Sequence, residues 1–155
     1  LKSPPPPYYP DMATAVSSLR IWPMSDRIPG FFGLAISDVQ DKLFLRGLPR
    51  RKGRFSYPSS GLSAEPGTVV LFQYRARIIA SAVFLRDERF EEKRDGAAGL
   101  IHLDVKSIRV FDPVDVQGMR KVWPAFRGFG HVKQFLNPVN YPLFKRRLKR
   151  VRSVG

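Results

Sequence analysis

Residues 67–85, GTVVLFQYRARIIASAVFL, decide the fold of this 155-residue chain. Val69, Val70, Leu71 and Phe72 leave no solvent face, and Ile78, Ile79, Ala80, Val83 and Phe84 repeat the pattern after a basic connection. Runs of this length, rich in β-branched and aromatic residues and opened by Pro66-Gly67, read as strands buried on both sides. A single helix is the competing reading, and the clustered Val and Ile argue against it. The two runs are expected to be adjacent central strands. The link Gln73–Arg77 carries neither Asn-Gly nor Asp-Gly, so their pairing rests on adjacency rather than on turn chemistry.

Working outward, charge is the strongest global signal. Lys and Arg number 27 against 13 Asp and Glu, a net +14. The excess is uneven: no acid follows Asp115, whereas Arg120, Lys121, Arg127, Lys133, Lys145, Arg146, Arg147, Lys149, Arg150 and Arg152 do. A field of that sign favours a nucleic-acid partner, with an anionic membrane surface or a merely solvated face as alternatives. The chain has no cysteine, so neither a disulfide framework nor a thiolate metal site is available. That absence, with no apolar run approaching the ~20 residues of a membrane span, leads us to expect a soluble, cytoplasmic protein.

One domain is expected over residues 19–152, preceded by a proline-rich tail at 1–18. PPPPYYP at 4–10 suits extended polyproline form. Pro5-Pro6-Pro7-Tyr8 matches a WW-ligand pattern, while Met12 as a start codon favours a tag, translated leader or linker. Leu19–Pro23 reads as a first strand and Phe31–Ile36 as a second apolar piece. Asp38–Leu45 fits either a helix or a strand. Gly47–Glu65 reads as a long basic loop, and Arg86–Gly99 as an exposed connection. In Leu100–Phe111 the apolar phase slips from Ile101, Leu103 and Val105 to Ile108 and Val110, which predicts a β-bulge near Lys106–Ser107. Asp112-Pro113 predicts a capped helix start, with Trp123-Pro124 ending that helix. Arg127–His131 reads as a flexible turn. A last helix is expected over Pro142–Val151, capped near Asn140, with Phe144, Leu148 and Val151 facing the core.

The order of these pieces resembles the PUA-like superfamily, and within it the EVE-type and ASCH-type domains. The likeness spans Leu19–Leu148 and is carried by Arg20-Ile21-Trp22-Pro23, by Pro66–Phe72 and by Arg77–Phe84. It departs from the family pattern at Thr68, where an acid is usual, and at Pro23–Asp26. The resemblance implies an α+β fold, a small bent β-barrel with short flanking helices. It also implies a nucleic-acid-binding module that recognises a modified base, flipped into an aromatic pocket, as in the targeting domains of modification-dependent restriction proteins.

A base taken out of its stack needs flat apolar walls and a few groups for its edge. Trp22, Phe31, Tyr57 and Trp123 are the candidate walls, and Ser25, Asp26 and Asp104 the candidate edge readers. Arg46, Arg50, Arg51, Lys52, Arg54, Arg127, Lys133, Lys145, Arg146 and Arg147 are the candidate phosphate contacts. DNA is favoured over RNA, and general RNA binding by a PUA-like domain is an alternative. No cofactor, metal site or catalysis in this chain is expected. The competing enzyme reading is a Mg²⁺-dependent nuclease of the PD-(D/E)xK type using Asp104 and Lys106, with a partner acid among Asp87, Glu88, Glu91 and Glu92. His102 and His131 alone give a weak basis for zinc. Membrane docking through the last helix would depend on Phe144, Leu148 and Val151.

Overall fold

The computed structural model describes residues 16–27 and 30–154. The polyproline segment and most of the expected tail lie outside them. The chain is α+β: one seven-stranded sheet, three short helices and a 3-10 turn.

The deciding stretch forms β3 and β4. With β1 as Leu19–Met24 and β2 as Arg54–Tyr57, β3 spans Val69–Tyr74 and β4 Arg77–Arg94, antiparallel to each other. Every residue of β3 is buried, because both faces of the sheet are covered there. The link is a two-residue turn in which Arg75 and Ala76 take φ of 51° and 59°. That left-handed geometry is what a tight hairpin needs, here adopted without the usual glycine or asparagine.

The segment expected to be an exposed connection is instead a long ribbon. β4 continues to Arg94 and β5 runs from Ala97 to Val114, joined at Asp95-Gly96 with φ of 51° and 82°. The bulge falls where the phase slip predicts it. Ser81 pairs with Arg109 and Val83 with Asp104, so 105–108 loop out opposite Ala82 alone. Ser107 Oγ donates to the Asp104 carbonyl at 2.6 Å and accepts the Val83 N–H at 2.7 Å, repairing the broken ladder.

The strand order is β2-β5-β4-β3-β1-β6, with β6 at Gln134–Leu136 and β7 (Arg152–Ser153) pairing with β5. β1 is parallel to β3. The sheet curls strongly, since the Trp22 ring on β1 meets the Phe55 ring on β2 at 5.8 Å across three intervening strands. It does not close: among the described residues no pairing joins β2 to β1 or β6, so the expected barrel is an open, curled sheet. Residues 58–65 fill the gap. Arg20 donates to the Ser63 carbonyl (3.0 Å), Lys133 to Ser60 Oγ (2.8 Å), and Asp87 accepts from Leu62 N (2.8 Å) and from the Tyr57 hydroxyl (2.6 Å).

Helix α1 runs over 36–50, with a π-helical middle at Gln40–Gly47. This resolves the ambiguity at Asp38–Leu45 in favour of a helix. A methyl group at Gly47 would come within 2.8 Å of the Lys42 carbonyl oxygen, which explains the glycine in this wide turn. The expected loop at 47–65 therefore holds a helix end and β2, and in the second apolar piece Phe31–Gly33 form a turn while Ile36 opens the helix.

Helix α2 is Val116–Val122 and α3 is Tyr141–Arg147. The first is capped by Asp115, which accepts from Gly118 N at 2.9 Å. Asp112, the expected cap, lies in β5 and pairs with Arg150 at 2.9 Å. The last helix ends four residues early and Val151 is exposed. Asn140 makes no capping bond and donates instead to the Val122 carbonyl (2.7 Å), while Asn137 caps the 3-10 turn Pro138–Asn140. Packing reaches slightly beyond the expected 19–152 boundaries, as Val16 and Val154 each pack against a core.

Alternation in the strands divides those cores. Trp22, Val70, Phe72, Ile101 and Leu103 face α1, whose Val39, Leu43, Phe44 and Leu48 seal them. Ile21, Val69, Leu71 and Phe111 face the other way, onto Met119, Val122, Trp123 and Phe144.

Candidate nucleic-acid interface

The expected phosphate contacts fall on two separate edges. Helix α1 lies along β5: Gln40 Nε2 donates to the carbonyls of Phe111 (2.7 Å) and Ile79 (2.9 Å) at one end, and Gly53 accepts from Leu103 N (2.8 Å) at the other. Burying one side of the helix leaves Lys42, Arg46 and Arg50 exposed, followed by Arg51, Lys52 and Arg54 at the turn into β2. From the opposite face, α3 presents Lys145, Arg146 and Arg147, all exposed.

The chain then crosses the β5 edge. Arg150 turns it with φ 51°, Asp112 N donates to the Lys149 carbonyl (3.0 Å), and β7 adds to Arg109 and Val110. Arg152 meets Asp41 of α1 at 3.0 Å. Two basic segments, 42–54 and 145–152, therefore border one sheet edge from its two faces. Among the described residues, ion pairs at this rim involve only Arg150 and Arg152. Arg127 and Lys133 stand apart, at or just before the β1–β6 edge.

The expected base-binding residues do not converge on one pocket, although Trp22 and Tyr57 pack together with ring centroids 6.3 Å apart. Trp22 is 5% exposed, Tyr57 1% and Trp123 6%. Trp22 and Trp123 lie on opposite faces of the sheet, in different cores, so they cannot wall one pocket. Trp123 donates its indole N–H to the Asn137 carbonyl at 2.9 Å and packs on Phe144, with ring centroids 5.4 Å apart. Trp22 carries the Lys133 ammonium 4.7 Å from its ring centroid. Phe31 packs edge-on against Tyr74. Asp26 pairs with Arg75 at 3.5 Å, and Ser25 Oγ accepts from Arg27 N. Asp104 is committed to the bulge, where it accepts from Lys106 N at 3.1 Å. Two clefts, of about 420 Å³ beside Leu62 and Phe84 and about 340 Å³ between α2 and α3, are lined by neither indole.

Two of the four acids that a nuclease would borrow, Asp87 and Glu88, are engaged elsewhere. Asp87 holds Tyr57 and Leu62, and Glu88 meets His102 at 2.8 Å, a bond that lowers the Glu88 carboxyl pKa. Among the described residues no group of three His, Asp or Glu side chains is placed to hold a metal ion. Of the three apolar residues that the membrane alternative would use, Phe144 is 1% exposed and Leu148 packs against the second core, which leaves Val151 exposed. No helix of the described residues is long and apolar enough to cross a membrane.

Arg20, Lys133, Tyr57 and Asp87 together form a polar seam against residues 58–65, which no sequence pattern marks as a unit. Burial, then the bond to Asp87, raises the Tyr57 phenol pKa. Burial, then the charge of Arg20, lowers the Lys133 ammonium pKa, with Asp87 opposing. Its one local trace is a period-2 alternation of cation and aromatic residue, Arg20-Ile21-Trp22 and Lys133-Gln134-Phe135. Comparison with protein-family models, with curated proteins and with solved structures returned no match to this chain.

Proposed function

We propose that this chain is a nucleic-acid-binding module that grips a phosphate backbone along the β5 edge. One observation carries the reading: two basic segments border that edge from opposite faces, and most of their cations have no carboxylate within ion-pair distance among the described residues. Cations left unneutralised at a common rim release the counterions of a polyanion when it binds, and that release drives association. The finer reading, a PUA-like domain that recognises a modified base in DNA for a restriction protein, rests on the sequence resemblance. In that reading the base wall is formed by side chains other than the two buried indoles.

The test is duplex binding by the full chain between 50 and 200 mM salt. Six neutralised phosphates give a log–log slope of about −5. Replacing Lys145, Arg146 and Arg147 with alanine is expected to reduce that slope by about 2 to 3 while leaving the fold intact. A wild-type slope near zero overturns the proposal.

A further inference from the structure

The β1–β6 edge carries a second arrangement that the phosphate rim does not use. Arg20 and Phe135 are direct cross-strand partners, and one step further along the same face Lys133 lies against Trp22. Cations and aromatic rings thus alternate across the two strands. Phe135 is the outermost member and 74% exposed, while Arg20 beneath it is 8% exposed, with its guanidinium Cζ 3.9 Å from the Phe135 centroid.

Ordinary edge packing accounts poorly for this. Among the described residues, Arg20 is a buried cation with a single anchoring bond, from NH1 to the Ser63 carbonyl, and its Nε is buried with no hydrogen-bond partner. Neither Arg20 nor Lys133 has a carboxylate within ion-pair distance among the described residues. The acid nearest in effect, Asp87, already accepts from Tyr57 and Leu62. Burying charge without a counter-ion is costly, and an arriving anion offsets that cost. A flat exposed ring beside two uncompensated cations matches a ligand with a flat apolar face and an attached anion.

We infer that Phe135, Arg20 and Lys133 form a subsite for one nucleotide of a single-stranded segment, with the base on the free face of the Phe135 ring and its phosphate at the Lys133 ammonium. The buried guanidinium holds the ring in place from below and adds its field to that of Lys133. Single strands fit because an unpaired base can lie on an aromatic ring, whereas the bases of a duplex are already stacked. The subsite rests on the nucleic-acid reading and adds the place where a base is touched.

The experiment measures binding of the full chain to fluorescein-labelled dodecathymidylate and to a labelled 12-base-pair duplex, for wild type, Phe135→Ala and Phe135→Trp. Circular dichroism confirms folding, which an exposed side chain is not expected to disturb. Phe135→Ala is expected to weaken single-strand binding roughly 5- to 150-fold, the equivalent of about 1–3 kcal/mol per stacked base. Duplex binding should change less than about twofold, and Phe135→Trp should retain the single-strand affinity because it keeps the flat surface. Equal loss on both probes, or no loss on either, overturns the subsite and leaves the basic rim standing. Absence of salt-sensitive binding by the wild type to both probes overturns the subsite and the rim together.

Discussion

The two faces of the sheet are closed by different physics, and the two tryptophans mark the difference. Trp123 sits under α2 and α3, packed against Phe144 and bonded to the Asn137 carbonyl. Trp22 sits beneath a polar seam, with Phe55 and Tyr57 at its sides and an ammonium on its ring. Both precede a proline and both are almost fully buried. One face is thus an apolar core closed by helices. The other is sealed by α1 along β5 but held at its open side by hydrogen bonds from Arg20, Lys133 and Tyr57 into the segment 58–65 and Asp87.

The comparison is tested first where the effect is largest. Trp123→Ala should lower stability by about 3–5 kcal/mol in denaturant unfolding, and Trp22→Ala should fall in the same range, as expected for buried large-to-small changes. A fully stable variant of either would show that residue to be a surface ligand contact rather than core.

Glycines separate the faces next. A methyl group at Gly99 would fall on the Tyr57 ring and hydroxyl and lie 2.5 Å from the Glu88 carbonyl, whereas at Gly118 its one tight contact is a Val114 side-chain methyl at 2.8 Å, with Asp115 Oδ1 at an ordinary 3.6 Å. Gly99→Ala should therefore cost about 1–3 kcal/mol and speed amide exchange across 58–65. Gly118→Ala in α2 should be close to neutral, since the gain in helix propensity, up to about 1 kcal/mol, opposes the crowding.

The seam also makes a pH-dependent contribution. The folded state raises the Tyr57 phenol pKa through burial and the bond to Asp87, so it keeps that proton when the unfolded chain has lost it. The stabilisation is complete below the ordinary tyrosine value near 10 and is lost as pH rises through the higher folded value. Tyr57→Phe should cost about 1 kcal/mol at neutral pH and flatten the stability decline measured between pH 9 and 11. An unchanged profile would remove Tyr57 from the seam's energetics.

Smallest is the helix cap on the apolar face. Asp115→Ala removes the bond from Gly118 N and should cost about 1 kcal/mol, read as a shift in the unfolding midpoint. Neither single-strand nor duplex binding is expected to weaken, because Asp115 lines the cleft between α2 and α3 with Arg147 and Lys149, where losing a carboxylate only strengthens the positive field.

Legibility in the sequence followed burial. β3 and the first half of β4 were readable because burial on both faces writes a continuous apolar run, and the bulge was readable because one extra turn of the chain flips the alternation. The ribbon Arg86–Arg94 was missed although Asp95-Gly96 is a hairpin signal, since neither face of that ribbon is buried and no alternation survives to mark it. Asp-Pro at 112–113 is a stronger local capping signal than Asp115. The extension of β5 through Val114, set by its pairing with Ile78, overrode it.

The site was legible as charge but not as place. Composition already shows ten basic residues after Asp115 with no acid among them, and periodicity determines which segments are strands. Only the tertiary structure decides that α3 and α1 border the same sheet edge, that the indoles lie back to back across the sheet, and that Arg20 comes to rest under Phe135. The physical reason is that these relations depend on strand order and on how far the sheet curls. Both are fixed by contacts between residues distant in the chain, which no local pattern records.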